Sequence, residues 1–404
     1  MPGSKSLTQR ALVIAALAHG MSLLTNPLLS EDTNYLIDAL RSLGTDIQVS
    51  NDAIAVPGSG PKIDNPERAL FLGNNGTALR FLTTMTALGT GTFIIDGNKR
   101  LRERPVAPLM EALKSLGIEC HSQDGGYPPV IVEGRGAIPG GTATFLNTDS
   151  SQYISSLLIS SPCAMRAVTI KLKGTTVSMP YIGMTIDTMK SFGVDVIKEG
   201  EGTYTIPTPQ YYRGREFTIE GDMSSASYFF LAAALLRGRV RVLNINPNSI
   251  QGDRKILTLM EELGCKIEKG DTWIEVAGGN LSQGEHLFDM GDMPDMVPTL
   301  AVLAAVRPGR TIITNVPHLR VKESDRIKAL VTELRRVGIE AEERDDGLVI
   351  NGGIAHGAEI ETYGDHRIAM SFAALGLATD GIFIKNEGCV GKSFPGFWNE
   401  LERL

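Results

Sequence analysis

Cysteine is scarce and scattered. The chain has four, Cys120, Cys163, Cys265 and Cys389, with no CxxC pair and no zinc-like spacing to a histidine. A disulfide scaffold and a structural zinc module are excluded. A catalytic thiol has no motif behind it, and the pattern fits reduced thiols in a cytoplasmic protein. No apolar run is long enough to suggest a membrane span. The polar, charged stretch at residues 2–10 does not read as a signal peptide. Basic residues are outnumbered, giving a formal net charge of −7, which argues against a nucleic-acid partner. Nucleotide fingerprints are missing as well. No G-x-G-x-x-G follows a strand, and Gly391-Lys392-Ser393 lacks the upstream glycine of a P-loop.

What the chain has is repetition. Small-residue apolar helices recur at Leu7–Ala18, Thr77–Leu88, Gln152–Ser160, Ala226–Leu236, Met296–Val306 and Ile368–Leu377, beginning near residues 6, 77, 150, 224, 295 and 365. A second, amphipathic helix follows in phase, ending at Gly44, Gly117, Gly193, Gly264 or Gly338, and then a hairpin. Between the two helices lies one more strand. The unit is helix, strand, loop, helix, strand, strand, repeated five times and begun a sixth. An Ala-rich helix that is apolar all round is buried on every side. The expected fold is therefore α/β (α+β), with three units per lobe, buried helices inside and sheets outside. The expected lobes are residues 4–220 and residues 221–404 plus 1–3, joined by a hinge near Gly3 and Gly221. The sixth unit lacks its final hairpin, so either the true start lies upstream of Met1 or the second lobe closes with a hairpin missing, in which case it is expected to be the less stable.

The helix entrances carry the chemistry. They read Lys5-Ser6…Arg10, Gly76…Arg80, Ser150-Ser151-Gln152, Asp222-Met223-Ser224, Pro294-Asp295 and Asp365-His366-Arg367. Capping accounts for Asp222, Ser224 and Asp365. It does not account for Lys5, Arg10, Arg80 and Arg367, since cations near a helix N-terminus oppose its dipole unless an anion binds there. Three loops add more charge: Lys99–Arg104, Arg320–Arg326 and the turn holding Lys392. So much cationic charge held at loops of an acidic protein points to a small substrate bearing phosphate and carboxylate groups.

These residues resemble the 5-enolpyruvylshikimate-3-phosphate (EPSP) synthase family along the whole chain. The resemblance rests on Pro2–Arg10 (PGSKSLTQR), Leu72–Arg80 (LGNNGTALR), Arg102–Pro105 (RERP), Ser150–Tyr153 (SSQY), Glu220–Ala226 (EGDMSSA), Pro294-Asp295, Arg320–Arg326 (RVKESDR), Asp365–Arg367 (DHR) and Lys392–Pro395 (KSFP). It implies a two-lobed fold of six repeats. It also implies transfer of the enolpyruvyl group of phosphoenolpyruvate to the 5-hydroxyl of shikimate 3-phosphate by addition and elimination, without metal or cofactor. By the same resemblance Lys5, Ser6, Arg10, Ser150, Ser151, Gln152, Ser178, Asp295 and Lys322 would hold shikimate 3-phosphate. Lys5, Gly76, Arg104, Gln152, Arg326, Arg367 and Lys392 would hold phosphoenolpyruvate. Asp295 would be the base for the 5-hydroxyl, and Glu323 or Lys5 would protonate the methylene carbon. The partners are these two small molecules only, and the protein is expected to act as a monomer, its lobes closing over the substrate.

Two positions depart from the family pattern. His318 stands where many members carry Asn, so either a substrate contact or a plain loop histidine fits. Phe81 follows Arg80 where many carry Pro or Leu, and would bear on the Gly76-Thr77 turn. Two other readings account for less. A UDP-N-acetylglucosamine enolpyruvyl transferase would begin with Asn after Lys5 and carry a reactive loop cysteine. A repeat-built ring scaffold would leave the entrance arginines unexplained.

Overall fold

The computed structural model describes every residue except Asp124. The chain divides into two compact units, Lys5–Ile219 and Met1–Ser4 with Glu220–Leu404. Two chain crossings join them, each one residue from where the sequence places the boundary. Ser4 belongs with the second unit because its amide donates to the Glu220 carbonyl at 2.8 Å, beside a Gly3–Gly221 bridge.

Each unit has its own apolar core, wrapped around three of the repeated helices. In Lys5–Ile219 these are Lys5–Ala16, Gly76–Met85 and Ser151–Ser160; in the second unit they are Met223–Leu236, Val297–Val306 and His366–Gly376. Nearly every residue of Val297–Val306 is buried, as a helix without a polar face requires. Hydroxyls pair at matching places inside these helices. Thr84 meets Ser156 at 2.6 Å, and Ser227 meets Thr299 at 2.8 Å. A buried hydroxyl without a partner would cost about 1–3 kcal/mol. Gly44, Gly117, Gly193, Gly264 and Gly338 all take φ between +82° and +102°, the left-handed turn that ends each amphipathic helix.

The repeat contains one strand more than the periodicity reveals. In four of the six repeats, among the described residues, a strand precedes the buried helix and pairs parallel with the strand that follows it. Leu70–Phe71 thus pairs with Thr90–Asp96, and Glu285–Asp289 with Gly309–Thr314. Pieces of two or three residues, such as Leu70–Phe71 and Glu216–Thr218, are too short to show alternation. Among the described residues, the three sheets of the first unit each have four strands. The last strand, Glu216–Thr218, pairs parallel with the first, His19–Thr25, and so closes the ring of repeats. In the second unit the sheets have four, three and two strands, the smallest being Ala358–Ile360 with Ile382–Ile384. No helix among the described residues is long and apolar enough to cross a membrane.

Candidate active site

In the first unit, the entrances of the three buried helices are tied together. The Lys5 ammonium lies 3.2 Å from the Asp32 carboxylate. The Asp32 carbonyl accepts the Asn75 amide at 2.6 Å, and Asn75 caps the helix Gly76–Met85 through the Ala78 amide at 3.0 Å. Asp32 has no motif signature and escaped sequence reasoning. Gly76 is the residue against which Arg104 lies. A Cβ there would stand 2.5 Å from Arg104 Cζ and 2.5 Å from Arg80 Nη1, so only glycine fits without displacing a guanidinium. Arg104 is buried and donates to the Asn74 carbonyl at 3.3 Å. Gln152 donates to Thr77 Oγ1 at 3.0 Å and so joins the third entrance to the second. Ser150 caps its helix by accepting the Gln152 amide at 3.3 Å. Ser151 is buried just inside that helix, and Ser178 is buried with φ +58°, an uncommon conformation for a non-glycine residue.

Two entrance arginines behave differently from the expectation. Arg80 is not held for an anion; it donates to the Gly76 carbonyl at 3.0 Å and the Pro105 carbonyl at 2.7 Å, beneath the Tyr153 ring. Its work is to hold the Arg104–Pro105 turn against the helix start. Arg10 is 1% exposed and donates to Thr185, Ser155 and the carbonyls of Ser6 and Tyr181. Burial lowers its pKa to about 10, so it stays charged. Phe81, fully buried, sits 5.5 Å from the Arg10 guanidinium and packs under it. Ser6 is half-buried on the first turn, and its carbonyl is one of the groups Arg10 holds.

In the second unit, Asp295, Lys322, Glu323, Arg326 and Arg367 come together. Arg326 is 1% exposed and binds three carboxylates, Asp295, Glu323 and Asp365, each at 2.8 Å. Arg367 donates to Asp295 at 2.6 Å through one amino group and to the Tyr228 hydroxyl at 3.3 Å through the other. Burial alone would push the Asp295 carboxyl up. The guanidiniums of Arg367 and Arg326, with Lys322, outweigh it and hold the group well below the usual carboxylate range, against some opposition from Glu323. Lys392 is buried on the turn Glu387–Lys392, which packs against the helix beginning His366-Arg367.

Several supporting groups go beyond the sequence reading. Asp365 does cap its helix, accepting the Arg367 amide at 3.0 Å, but its other oxygen takes Arg326 and Ser324. Ser224 is not a cap; it lies inside the helix Met223–Leu236 and donates to Asp253. Burial and the nearby Asp295 push Asp253 up to about 7, restrained by Arg367 and Ser224. His318 is 3% exposed, and neither ring nitrogen has a hydrogen-bond partner among the described residues. Burial, then Lys322, lowers it to about 3, against the pull of Asp295, so the ring is neutral. Burial pushes all four thiols up, to about 11 or 12, which makes them poor nucleophiles. Among the described residues no group of three or more His, Cys, Asp or Glu is placed to hold a metal ion.

In the second unit, guanidiniums and ammoniums surround Asp295, with Glu323 and Asp365 beside it, an arrangement suited to a small polyanion and a proton transfer. Comparison with models of known families matches residues 1–401 to EPSP synthase (3-phosphoshikimate 1-carboxyvinyltransferase). A 3-phosphoshikimate 1-carboxyvinyltransferase of Nostoc punctiforme is 43% identical over 407 residues, covering 100% of this chain and 95% of the relative. One from Methanothermobacter thermautotrophicus is 41% identical over 404 residues, covering 100% and 94%. Among solved structures, an EPSP synthase from Acinetobacter baumannii superposes with a TM-score of 0.82 at 28% identity, covering 100% of this chain and 94% of that one. Matched by the family model from residue 1 to residue 401, and more than 40% identical to curated members along its whole length, this chain belongs to the EPSP synthase (3-phosphoshikimate 1-carboxyvinyltransferase) family.

Proposed function

We propose a division of labour among these residues for the reaction of the family. The chain is a transferase that moves the enolpyruvyl group of phosphoenolpyruvate to the 5-hydroxyl of shikimate 3-phosphate and releases phosphate. Its setting is read as the cytoplasm, and its working form as a monomer without a cofactor. Lys5, Ser6, Ser150, Ser151, Gln152, Ser178 and Lys322 hold shikimate 3-phosphate. Arg10, whose donors are engaged inside the first unit, serves that site by placing Ser6. His318, a neutral ring beside Lys322 and Asp295, suits a hydroxyl better than a phosphate. Lys5, Gly76, Arg104, Gln152, Arg326, Arg367 and Lys392 hold phosphoenolpyruvate.

The double ion pair of Asp295 carries this reading. Arg326 and Arg367 both grip Asp295. An arriving carboxylate or phosphate competes for the same two cations. As they turn to the ligand, Asp295 loses the charges that depress its pKa and becomes a stronger base. Donor binding thereby prepares the base that takes the 5-hydroxyl proton. The hydroxyl oxygen bonds to C2 of phosphoenolpyruvate while Glu323, or Lys5, delivers a proton to C3. That residue, now deprotonated, takes a proton back from C3 as the C2–O bond to phosphate breaks, which restores the double bond and releases phosphate.

The test is phosphate release. With this protein, phosphate should appear only when phosphoenolpyruvate and shikimate 3-phosphate are both present, and not with UDP-N-acetylglucosamine as acceptor. Silence with shikimate 3-phosphate would sink the reading. The Gly76 contact adds a second expected outcome. Gly76→Ala drives a methyl into the Arg104 guanidinium, so KM for phosphoenolpyruvate should rise about tenfold, the loss of roughly one charge-assisted hydrogen bond. KM for shikimate 3-phosphate should hold within about twofold on the same scale. Equal changes in both constants would contradict the placement of Arg104.

A further inference from the structure

We propose that Tyr228 is a positioning residue that holds Arg367 ready for the donor substrate; the inference rests on the assignment of Arg367 to phosphoenolpyruvate. Tyr228 lies on the helix Met223–Leu236, where Phe229, Phe230, Leu231 and a run of alanines follow it. Its ring is fully buried and meets the edge of Phe397 with centroids 6.0 Å apart. For packing alone phenylalanine would serve, because a buried hydroxyl costs free energy unless it finds a partner. The partner here is Arg367, which donates to the phenol oxygen at 3.3 Å.

As partners of Arg367, Asp295 and Tyr228 differ in kind. Asp295 neutralises the guanidinium, whereas Tyr228 supports it and leaves its charge intact. Burial pushes the phenol up to about 12, so it stays neutral at working pH. An incoming anion can therefore displace Asp295 while Tyr228 keeps the guanidinium in place. A long side chain already fixed at one amino group loses less rotamer freedom on gripping its ligand. The tether also links chain positions 228 and 367 inside one unit, so it needs no other part of the molecule.

Removing one oxygen tests this. Tyr228→Phe should raise KM for phosphoenolpyruvate about tenfold, equivalent to about 1.4 kcal/mol, with KM for shikimate 3-phosphate unchanged within about twofold on that scale. Its Tm should stay near that of the parent protein. Phe397→Leu, which loosens the ring packing but keeps the hydroxyl, should lower Tm and leave KM for phosphoenolpyruvate unchanged. The proposal is overturned if Tyr228→Phe leaves that KM unaltered, if both KM values rise together, or if Phe397→Leu reproduces the effect. Turnover by the parent protein separates the two ideas. A silent parent refutes the assigned reaction, whereas an active parent with an unaffected Tyr228→Phe refutes only the role of Tyr228.

Discussion

Replacing Asp295 by asparagine is expected to lower kcat by about a thousandfold, within the usual contribution of a general base, and at the same time to tighten the binding of phosphoenolpyruvate. The two effects have one cause. Asp295 is both the proposed base and an anion paired with Arg326 and Arg367, the cations proposed to bind the donor. Asparagine cannot take the proton, and it no longer competes for the guanidiniums as a charge. Steady-state kinetics with equilibrium binding of phosphoenolpyruvate would check both halves. A variant with kcat within tenfold of the parent would end the case for Asp295 as base. The stability change has a predictable sign with pH. A carboxyl held below its unfolded value contributes stability that is present above the ordinary carboxylate range and is lost as pH falls through the folded value. The Tm deficit of Asp295→Asn should therefore be largest near neutral pH and shrink toward acid.

Asp365→Ala is expected to be the most destabilising single change at this site. The Asp365 side chain is fully buried and pairs with Arg326, itself 1% exposed, at 2.8 Å. Deleting one partner of a buried pair leaves charge without compensation and costs about 3–5 kcal/mol. Loss of the cap on the helix His366–Gly376 adds roughly 1 kcal/mol. Asp295 and Glu323 still hold Arg326, so the lower end of that range is the better guide. Asp365→Asn keeps an oxygen for the cap and should lie between the parent and Asp365→Ala. Denaturant unfolding measures all three, and a loss under about 1 kcal/mol for the alanine variant would contradict the clamp. KM for phosphoenolpyruvate should rise in both variants, because Asp365 fixes the guanidinium that is proposed to bind it.

Much of this architecture was legible from local signals. An apolar helix with no polar face announces its own burial, a glycine after an amphipathic helix announces a left-handed turn, and a spacing of some 70 residues announces a repeat. The site motifs were legible too, since Lys5, Gly76, Asp295, Arg326 and Arg367 lie in stretches that match the family. The short parallel strands were not, because two or three residues carry no period. Nor were the uses of the entrance arginines. Arg80 and Arg367 look alike in sequence, each a cation just inside a buried helix, yet one is spent on backbone carbonyls and the other on a carboxylate.

By itself, then, the sequence determined the repeat, the burial of six helices, the family and the inventory of charged groups. Only the tertiary structure decided which charges oppose which. Arg326 meets Asp295 across 31 positions, Arg367 meets the same carboxylate across 72, and Tyr228 meets Arg367 across 139. Helix and turn preferences act over a few residues, whereas these pairings depend on how separate repeats pack. The state of the proposed base is set by the geometry of that packing.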